Sequence, residues 1–159
     1  MKAASISDIK QELNNIPHAQ VMELCLRLAK YKKDNKELLN YLLFESHDEE
    51  AYLQNVKNEM KQEFTHINTS NVYFAKKSLR RILRDTAKYI RYTASKQVEV
   101  ELLLHFCQTL KDAGIPLKNS TVISNLYYFQ LKKVAKLVAT FHEDLQYDYL
   151  KKLRKLELI

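Results

Sequence analysis

Residues 72–92 read VYFAKKSLRRILRDTAKYIRY, and this stretch decides the fold class. Its apolar positions recur every three or four residues, which is the spacing of one face of an α-helix. These positions are Val72, Ala75, Leu79, Ile82, Leu83, Thr86 and Ile90. The stretch therefore predicts one long amphipathic helix over about 72–92.

The same spacing continues on both sides of this helix, between short polar breaks. The other predicted helices span about 6–15, 17–33, 34–46, 48–67, 96–113 and 120–156. Asp34 with Glu37 and Ser46 with Glu49 have the spacing of capping boxes at helix starts. Ser95 and Ser120 are expected to begin the two helices after residue 92.

The chain contains one glycine, and its position marks a helix end. In Ala113-Gly114-Ile115-Pro116, Gly114 is predicted to take the left-handed conformation just past the helix, and Pro116 to prevent its continuation. So little glycine argues against β-sandwiches, barrels and Rossmann-type folds, whose tight turns and phosphate loops need it. With 46% hydrophobic and 28% charged residues, the chain is expected to fold around a core.

Short connections between these helices predict antiparallel neighbours. Hairpins are expected at about 17–46, 48–92 and 96–141. The predicted fold is all-α, a single helical domain over residues 1–159 with six or seven helices in antiparallel hairpins. Both a compact bundle and a short HEAT-like α-solenoid fit this layout. The last helical pattern would be on the order of 50 Å long. Either it breaks near residues 142–144, or residues 142–159 form a projecting C-terminal extension.

The positive charge of the chain is concentrated in one helix. The formal charge is +7, and residues 76–91 alone carry seven cations and one acid, a net of +6. On a helical wheel the cations occupy a single arc of about 140°. We call them the basic arc: Lys76, Lys77, Arg80, Arg81, Arg84, Lys88 and Arg91. Since like charges at this spacing repel, the pattern indicates an anionic partner.

Three partners are compatible with the basic arc. Residues 45–63 carry six acids and two lysines, so the neighbouring helix could neutralise the arc along an internal seam. Nucleic-acid phosphates could bind the arc, with Tyr89 or Tyr92 stacking on bases. An acidic protein, a phosphopeptide or an anionic lipid surface could also dock there.

A weaker basic zone and a possible dimer seam lie near the C-terminus. The zone comprises Lys132, Lys133, Lys136, Lys151, Lys152, Arg154 and Lys155. Acids between these positions dilute it, and a solvated helix face is the favoured interpretation. If the terminal stretch projects, Leu150, Leu153 and Leu156 could form a homodimer seam on the C-terminal helix.

Nothing in the sequence indicates catalysis. There is no GxSxG, no phosphate-binding glycine loop and no HExxH. Glu63 with His66 and Glu101 with His105 have helical spacing, but a metal site would need further ligands. We therefore expect no catalytic residue, cofactor or metal.

The remaining features suggest a reduced compartment. Cys25 and Cys107 lie in apolar helical patterns and are predicted to be reduced core residues. The N-terminus lacks a secretory signal, and no window is apolar enough to span a membrane. The sequence thus predicts a cytoplasmic, non-enzymatic protein that binds a polyanion, preferably nucleic acid. The alternative is a protein-interaction scaffold whose basic helix is neutralised by its acidic neighbour.

Overall fold

The structure is a computed structural model that describes residues 1–115 and 117–157. Over these residues it contains eight α-helices and no strand, so the all-α prediction is confirmed. The predicted count of six or seven helices is slightly too low. Pro116, expected to stop a helix, lies outside the described residues.

The helices closely follow the predicted ranges, except that the last predicted helix is divided into two. They are α1 (Ile6–Asn15), α2 (His18–Tyr31), α3 (Lys33–Asn40), α4 (Glu49–Thr65), α5 (Val72–Thr93), α6 (Lys96–Asp112), α7 (Thr121–Val138) and α8 (Glu143–Glu157). A π-helical turn, Tyr41–Glu45, follows α3, and a 3₁₀ turn, Leu117–Asn119, precedes α7. The last predicted helix is two helices, α7 and α8, which accounts for the higher count.

The break between α7 and α8 has its own hydrogen bonds. The side-chain amide of Gln146 donates to the carbonyl oxygens of Ala139 at 3.2 Å and Phe141 at 2.7 Å. These bonds satisfy two carbonyl groups of the turn that follows Val138, the last residue of α7. Of the two outcomes expected for this stretch, the structure shows the break.

Several helix starts carry the side-chain caps that the sequence indicates. The hydroxyl of Ser95 accepts from the backbone N–H of Val98 at 3.3 Å, and Ser120 likewise caps α7. Gly114 has φ of 67°, so its left-handed conformation is also confirmed. The two predicted capping boxes are wrong in position. Asp48, not Ser46, caps α4, because its side chain accepts from Ala51 N–H at 3.0 Å.

The start of α3 also differs from the prediction. Its N-cap is Lys32 rather than Asp34, and no side-chain hydrogen bond caps it. Asp34 instead lies within the first turn, where a negative charge complements the helix dipole. A capping pattern read from sequence can therefore misplace a helix start by one or two residues.

The chain divides into two compact units, Met1–Glu45 and Ser46–Ile159. In the first, α2 packs against α3, and Asn35 donates to the carbonyl oxygen of Leu28 at 2.8 Å. The prediction that Cys25 is a core residue is wrong: Cys25 is exposed, as are Leu24 and Leu28 on the same helix. That residues 1–159 form a single domain stays a prediction.

Helix α6 is the centre of the second unit, since α4, α5, α7 and α8 all pack against it. Neighbours on several sides explain why α6 is apolar around most of its circumference. Its fully buried side chains are Val98, Val100, Leu102, Phe106, Cys107 and Leu110. Phe106 also meets Phe64 of α4, with ring centroids 5.5 Å apart.

Side-chain contacts give the helix directions in this unit. Between α4 and α5, the start of one helix meets the end of the other, as Glu49 contacts Ser95 and Glu63 contacts Arg81. Helices α6 and α7 are likewise antiparallel, because Glu99 pairs with Lys133 while Cys107 meets Tyr127. The choice between a compact bundle and a solenoid stays a prediction.

Helix α8 is packed onto the second unit. It contacts α6 and α7, and its Tyr149, Leu153 and Leu156 are buried. The hydroxyl of Tyr127 donates to the carbonyl oxygen of Leu156 at 2.7 Å. The projecting extension predicted as one alternative is therefore wrong. Leu153 and Leu156 are also not available for the homodimer seam expected on this helix.

Candidate polyanion-binding surface

Helix α5 presents two unlike faces because its apolar positions repeat at helical spacing. The face toward α4 and α6 buries Ala75, Leu79, Ile82, Thr86 and Ile90. Thr86 satisfies its hydroxyl within the helix by donating to the carbonyl oxygen of Ile82 at 2.8 Å. Burial of this face turns the opposite side of α5 outward.

The basic arc lies on that outward side. Five of its seven cations are exposed, and the other two, Lys76 and Lys88, are half-buried. The exposed ones are Lys77, Arg80, Arg81, Arg84 and Arg91. The arc is thus a surface feature along the whole length of α5.

Contact between the basic arc and the acidic helix α4 is limited. Arg81 forms an ion pair with Glu63. Over residues 1–115 and 117–157, no carboxylate pairs with Lys77, Arg80, Arg84 or Arg91. The internal seam expected as one alternative therefore leaves these four cations without an acidic partner.

The acids of α4 have other neighbours. Asp48 caps the helix, Glu50 accepts from Gln54 at 2.9 Å, and Glu59 accepts from the Tyr89 hydroxyl at 2.8 Å. Between α4 and α5 lies a small cavity of about 130 Å³, which Glu59, Glu63 and Asp85 help to line. The negative charge is therefore gathered at the helix start and along the seam, beside the basic arc.

Cations line an open groove along the N-terminal half of α5. Its volume is about 480 Å³. The lining residues are Tyr73, Lys76, Lys77, Ser78, Arg80, Arg81 and Arg84. Five of the seven are cations and none is an acid. We call this feature the cationic groove. Close cations with few acids create a positive potential, which attracts an anion carrying several charges.

The two tyrosines predicted to stack on bases are engaged elsewhere. Tyr89 is half-buried, and its hydroxyl donates to Glu59 of α4 at 2.8 Å. Tyr92 is also half-buried, and its ring meets that of Tyr89 edge-on at 6.2 Å between centroids. Neither residue lines the cationic groove.

A different aromatic pair lies at the beginning of α5. Tyr73 is 61% exposed and Phe74 is 51% exposed, and Tyr73 lines the cationic groove. Neither residue is among the aromatic candidates predicted from the sequence, which are Tyr89 and Tyr92. The run Val72-Tyr73-Phe74 could have predicted an exposed aromatic side chain, because a helix with a single buried face cannot bury three consecutive residues.

The second basic zone is partly paired with acids of α6. Lys133 binds Glu99 at 2.6 Å, and Lys152 binds Glu101 at 3.2 Å. Glu101 also accepts from Lys57 of α4 at 2.8 Å. These ion pairs join α6 to three neighbouring helices, which gives two of the zone's lysines, Lys133 and Lys152, a structural role.

The candidate metal ligands from the sequence belong to these pairs. Glu63 binds Arg81, and Glu101 binds two lysines. The Nε2 atom of His105 lies 3.2 Å from the carbonyl oxygen of Lys57. Among the residues that the structure describes, no three His, Cys, Asp or Glu side chains are grouped to hold a metal ion.

The titration of this cluster reflects burial and nearby lysines. Burial alone would raise the pKa of Glu101, but its hydrogen bond with Lys57 and the charges of Lys57 and Lys152 outweigh burial and lower that pKa. Burial and the charge of Lys57 lower the pKa of His105. Both shifts come from groups that hold α4, α6 and α8 together.

Comparison with known proteins yields no relative. No family model matches the chain, and no curated protein or solved structure is significantly similar to it. In the described part of the chain, no helix is long and apolar enough to cross a bilayer.

Proposed function

We propose that this chain is a non-enzymatic binding protein whose basic arc engages nucleic acid. The cationic groove carries the proposal, since five cations and no acid line it. Arginine guanidinium groups form bidentate hydrogen bonds with phosphate oxygens, and the groove contains Arg80, Arg81 and Arg84. A regularly charged polyanion can occupy such a groove at several points at once.

The role of each cation follows from its surroundings. Lys77, Arg80, Arg84 and Arg91 have no carboxylate partner among the described residues and are proposed as the principal phosphate contacts. Arg81 is shared with Glu63. Lys76 and Lys88 extend the arc at its half-buried positions. Phosphate contacts carry no sequence information, so binding is expected to be weakly sequence-selective.

The salt dependence of binding tests this proposal. Binding of a labelled oligonucleotide is measured by fluorescence anisotropy between about 50 and 200 mM salt. The triple variant Arg80→Ala/Arg84→Ala/Arg91→Ala should bind more weakly. Its slope of log affinity against log salt should fall by about one for each phosphate that the variant no longer neutralises. Absence of wild-type binding to either DNA or RNA at low salt would refute the proposal.

A matched variant controls for net charge. Lys132→Ala/Lys136→Ala/Lys151→Ala also removes three positive charges, but from exposed positions of the second basic zone. It should retain both the affinity and the salt slope of the wild type. Equal reductions in the two variants would indicate attraction by overall charge rather than a site on α5. Circular dichroism of both variants establishes that they remain folded.

The second candidate is a protein-interaction scaffold with an acidic protein partner. The first unit favours it, because Leu28, Leu43 and Phe44 are each more than 60% exposed. The Arg81–Glu63 pair supports partial neutralisation of the basic helix. A bundle or a short α-solenoid would suit either function. A cytoplasmic location remains our proposal, supported by two cysteines that are both unpaired.

A further inference from the structure

We propose that the ligand is a single strand of nucleic acid, whose bases stack on Tyr73 and Phe74 while its phosphates follow the cationic groove. This inference rests on the proposed function and adds which form of nucleic acid binds and where its bases lie. It also replaces Tyr89 and Tyr92 with a different aromatic pair.

The start of α5 holds this pair in a defined position. The side chain of Asn71 caps the helix and accepts from the backbone N–H groups of Tyr73 at 2.9 Å and Phe74 at 3.4 Å. The two rings meet edge-on with centroids 5.5 Å apart. A capped helix start restrains both residues, so less conformational entropy is lost when a base stacks on them.

The pair belongs to a run of apolar side chains that the inner face of α5 does not cover. Val72, Tyr73 and Phe74 are consecutive and all exposed, at 44%, 61% and 51%. Three adjacent exposed apolar side chains gain nothing from the core and favour association. Aromatic rings offer flat faces, and the faces of nucleobases are the apolar surfaces that match them.

The aromatic pair and the cations form one continuous surface. Tyr73 lines the cationic groove, and the Nζ of Lys76 lies 5.4 Å from the centre of its ring. From Tyr73 to Arg84 the helix rises about 16 Å, at 1.5 Å per residue. That length accommodates about three to five phosphates of one strand. Bases stacked at one end of the groove would thus continue directly into phosphates held along it.

A single strand fits this arrangement better than a duplex. In a duplex the base faces are stacked on each other and only their edges are reachable from the grooves. Stacking on Tyr73 and Phe74 needs unpaired bases, as in proteins that combine aromatic platforms with a basic channel. A duplex would contact the cations alone and leave the aromatic pair without a role.

The first experiment compares two double variants in the full chain. Tyr73→Ala/Phe74→Ala removes the pair, and Tyr128→Ala/Phe129→Ala removes adjacent aromatics that are 46% and 66% exposed on α7. The probes are a labelled single strand of about 15 nucleotides, a length near the upper end of typical single-strand sites, and its duplex. The α5 variant should bind the single strand about 5-fold to 100-fold more weakly. Its salt slope and duplex affinity should be unchanged.

The outcomes separate this inference from the proposed function. If the wild type binds nucleic acid but Tyr73→Ala/Phe74→Ala binds equally well, or if the wild type prefers the duplex, the inference is overturned and the proposed function stands. If the wild type binds neither probe, both fail. Equal weakening in the α5 and α7 variants would also overturn it, because stacking would not be confined to α5.

A fluorescence experiment tests stacking directly. The protein has no tryptophan, so a Tyr73→Trp variant carries a single indole reporter at the proposed site. We expect the single strand to quench its fluorescence, and inorganic polyphosphate, which has no bases, to bind without quenching. Equal responses to the two polyanions would overturn base stacking. A response to vesicles of anionic lipid with none to the single strand would assign the surface to membranes.

Discussion

The two units of this chain carry similar helical patterns but differ in what those patterns bury. Among residues 1–45, all of which the structure describes, only Tyr41 is buried. In the second unit, Leu79, Phe106, Ile123 and Tyr127 are each 0% exposed. Helices α2 and α6 both carry apolar stripes. Four helices pack against α6, whereas in the first unit α2 packs against α3. An apolar stripe therefore predicts a helix, while the number of neighbours decides whether the stripe becomes a core.

The two cysteines test this contrast with the largest expected effect. Cys107 is 0% exposed and burial raises the pKa of its thiol to about 12, whereas Cys25 is exposed. A disulfide reagent such as Ellman's reagent needs an accessible thiolate. In the native protein Cys25 should react rapidly. Cys107 should react at least about a thousandfold more slowly, because its thiol becomes accessible only when the second unit unfolds.

Single substitutions show which cysteine gives rise to which reaction phase. Cys25→Ser should remove the fast phase and Cys107→Ser the slow one. Two fast thiols in the wild type would show that α6 is not the protected centre of the second unit.

A matched pair of phenylalanines gives the next largest effect. Phe106→Ala should lower the free energy of unfolding by about 3–5 kcal/mol, because it leaves a cavity beside Phe64. Phe44→Ala, at a side chain that is 66% exposed, should change it by less than about 0.5 kcal/mol. Urea denaturation followed by circular dichroism measures both. A large destabilisation in Phe44→Ala would mean that the first unit depends on this side chain for its packing.

An ion pair of the second unit is also more deeply buried than one of the first unit. The side chains of Lys57 and Glu101 are 16% and 18% exposed, while those of Lys33 and Glu37 are 85% and 26% exposed. Glu101→Gln should cost about 1–3 kcal/mol at neutral pH, because it leaves the partly buried Lys57 without its charge partner. Lys33→Gln should cost less than about 0.5 kcal/mol, because the Lys33 side chain is already exposed to water. Urea denaturation of both variants at neutral pH measures the difference, and equal costs would contradict it.

The pH dependence of stability follows from the same cluster. The pKa of His105 is lowered, so the unfolded chain takes up its proton more readily and stability falls as the pH drops through about 6.5. The pKa of Glu101 is also lowered, so its contribution is full above about pH 4.3 and is lost below that. Thermal melts between neutral and acidic pH should show both decreases. Glu101→Gln should reduce the one at lower pH, and an unchanged acid profile in that variant would contradict this assignment.

The sequence predicted the helices better than their burial. The Ser95 and Ser120 caps and the left-handed Gly114 were predictable because each depends on a few adjacent residues. Cys25 was wrongly placed in a core, since no local signal says whether an apolar face has a neighbour. The N-cap of α4 was wrongly assigned to Ser46 because Asp48, two residues later, offers an equally good cap.

The candidate site shows the same division. The basic arc was predictable because the spacing of its cations is a property of one helix. The pairing of Arg81 with Glu63 was not predictable, because Glu63 lies on another helix and the packing of side chains determines which cation it reaches. Tyr89 was assigned to stacking because nothing in its own helix indicates that Glu59 accepts from its hydroxyl.

By itself, the sequence determined that this protein is helical, where most helices begin and end, and that one helix carries most of the net charge. These features depend on backbone hydrogen bonding and side-chain spacing within a single segment. The tertiary structure alone decided which apolar faces are covered, which cations remain unpaired and which aromatic rings stay exposed. Those outcomes depend on contacts between residues far apart in sequence, and helical periodicity carries no information about such contacts.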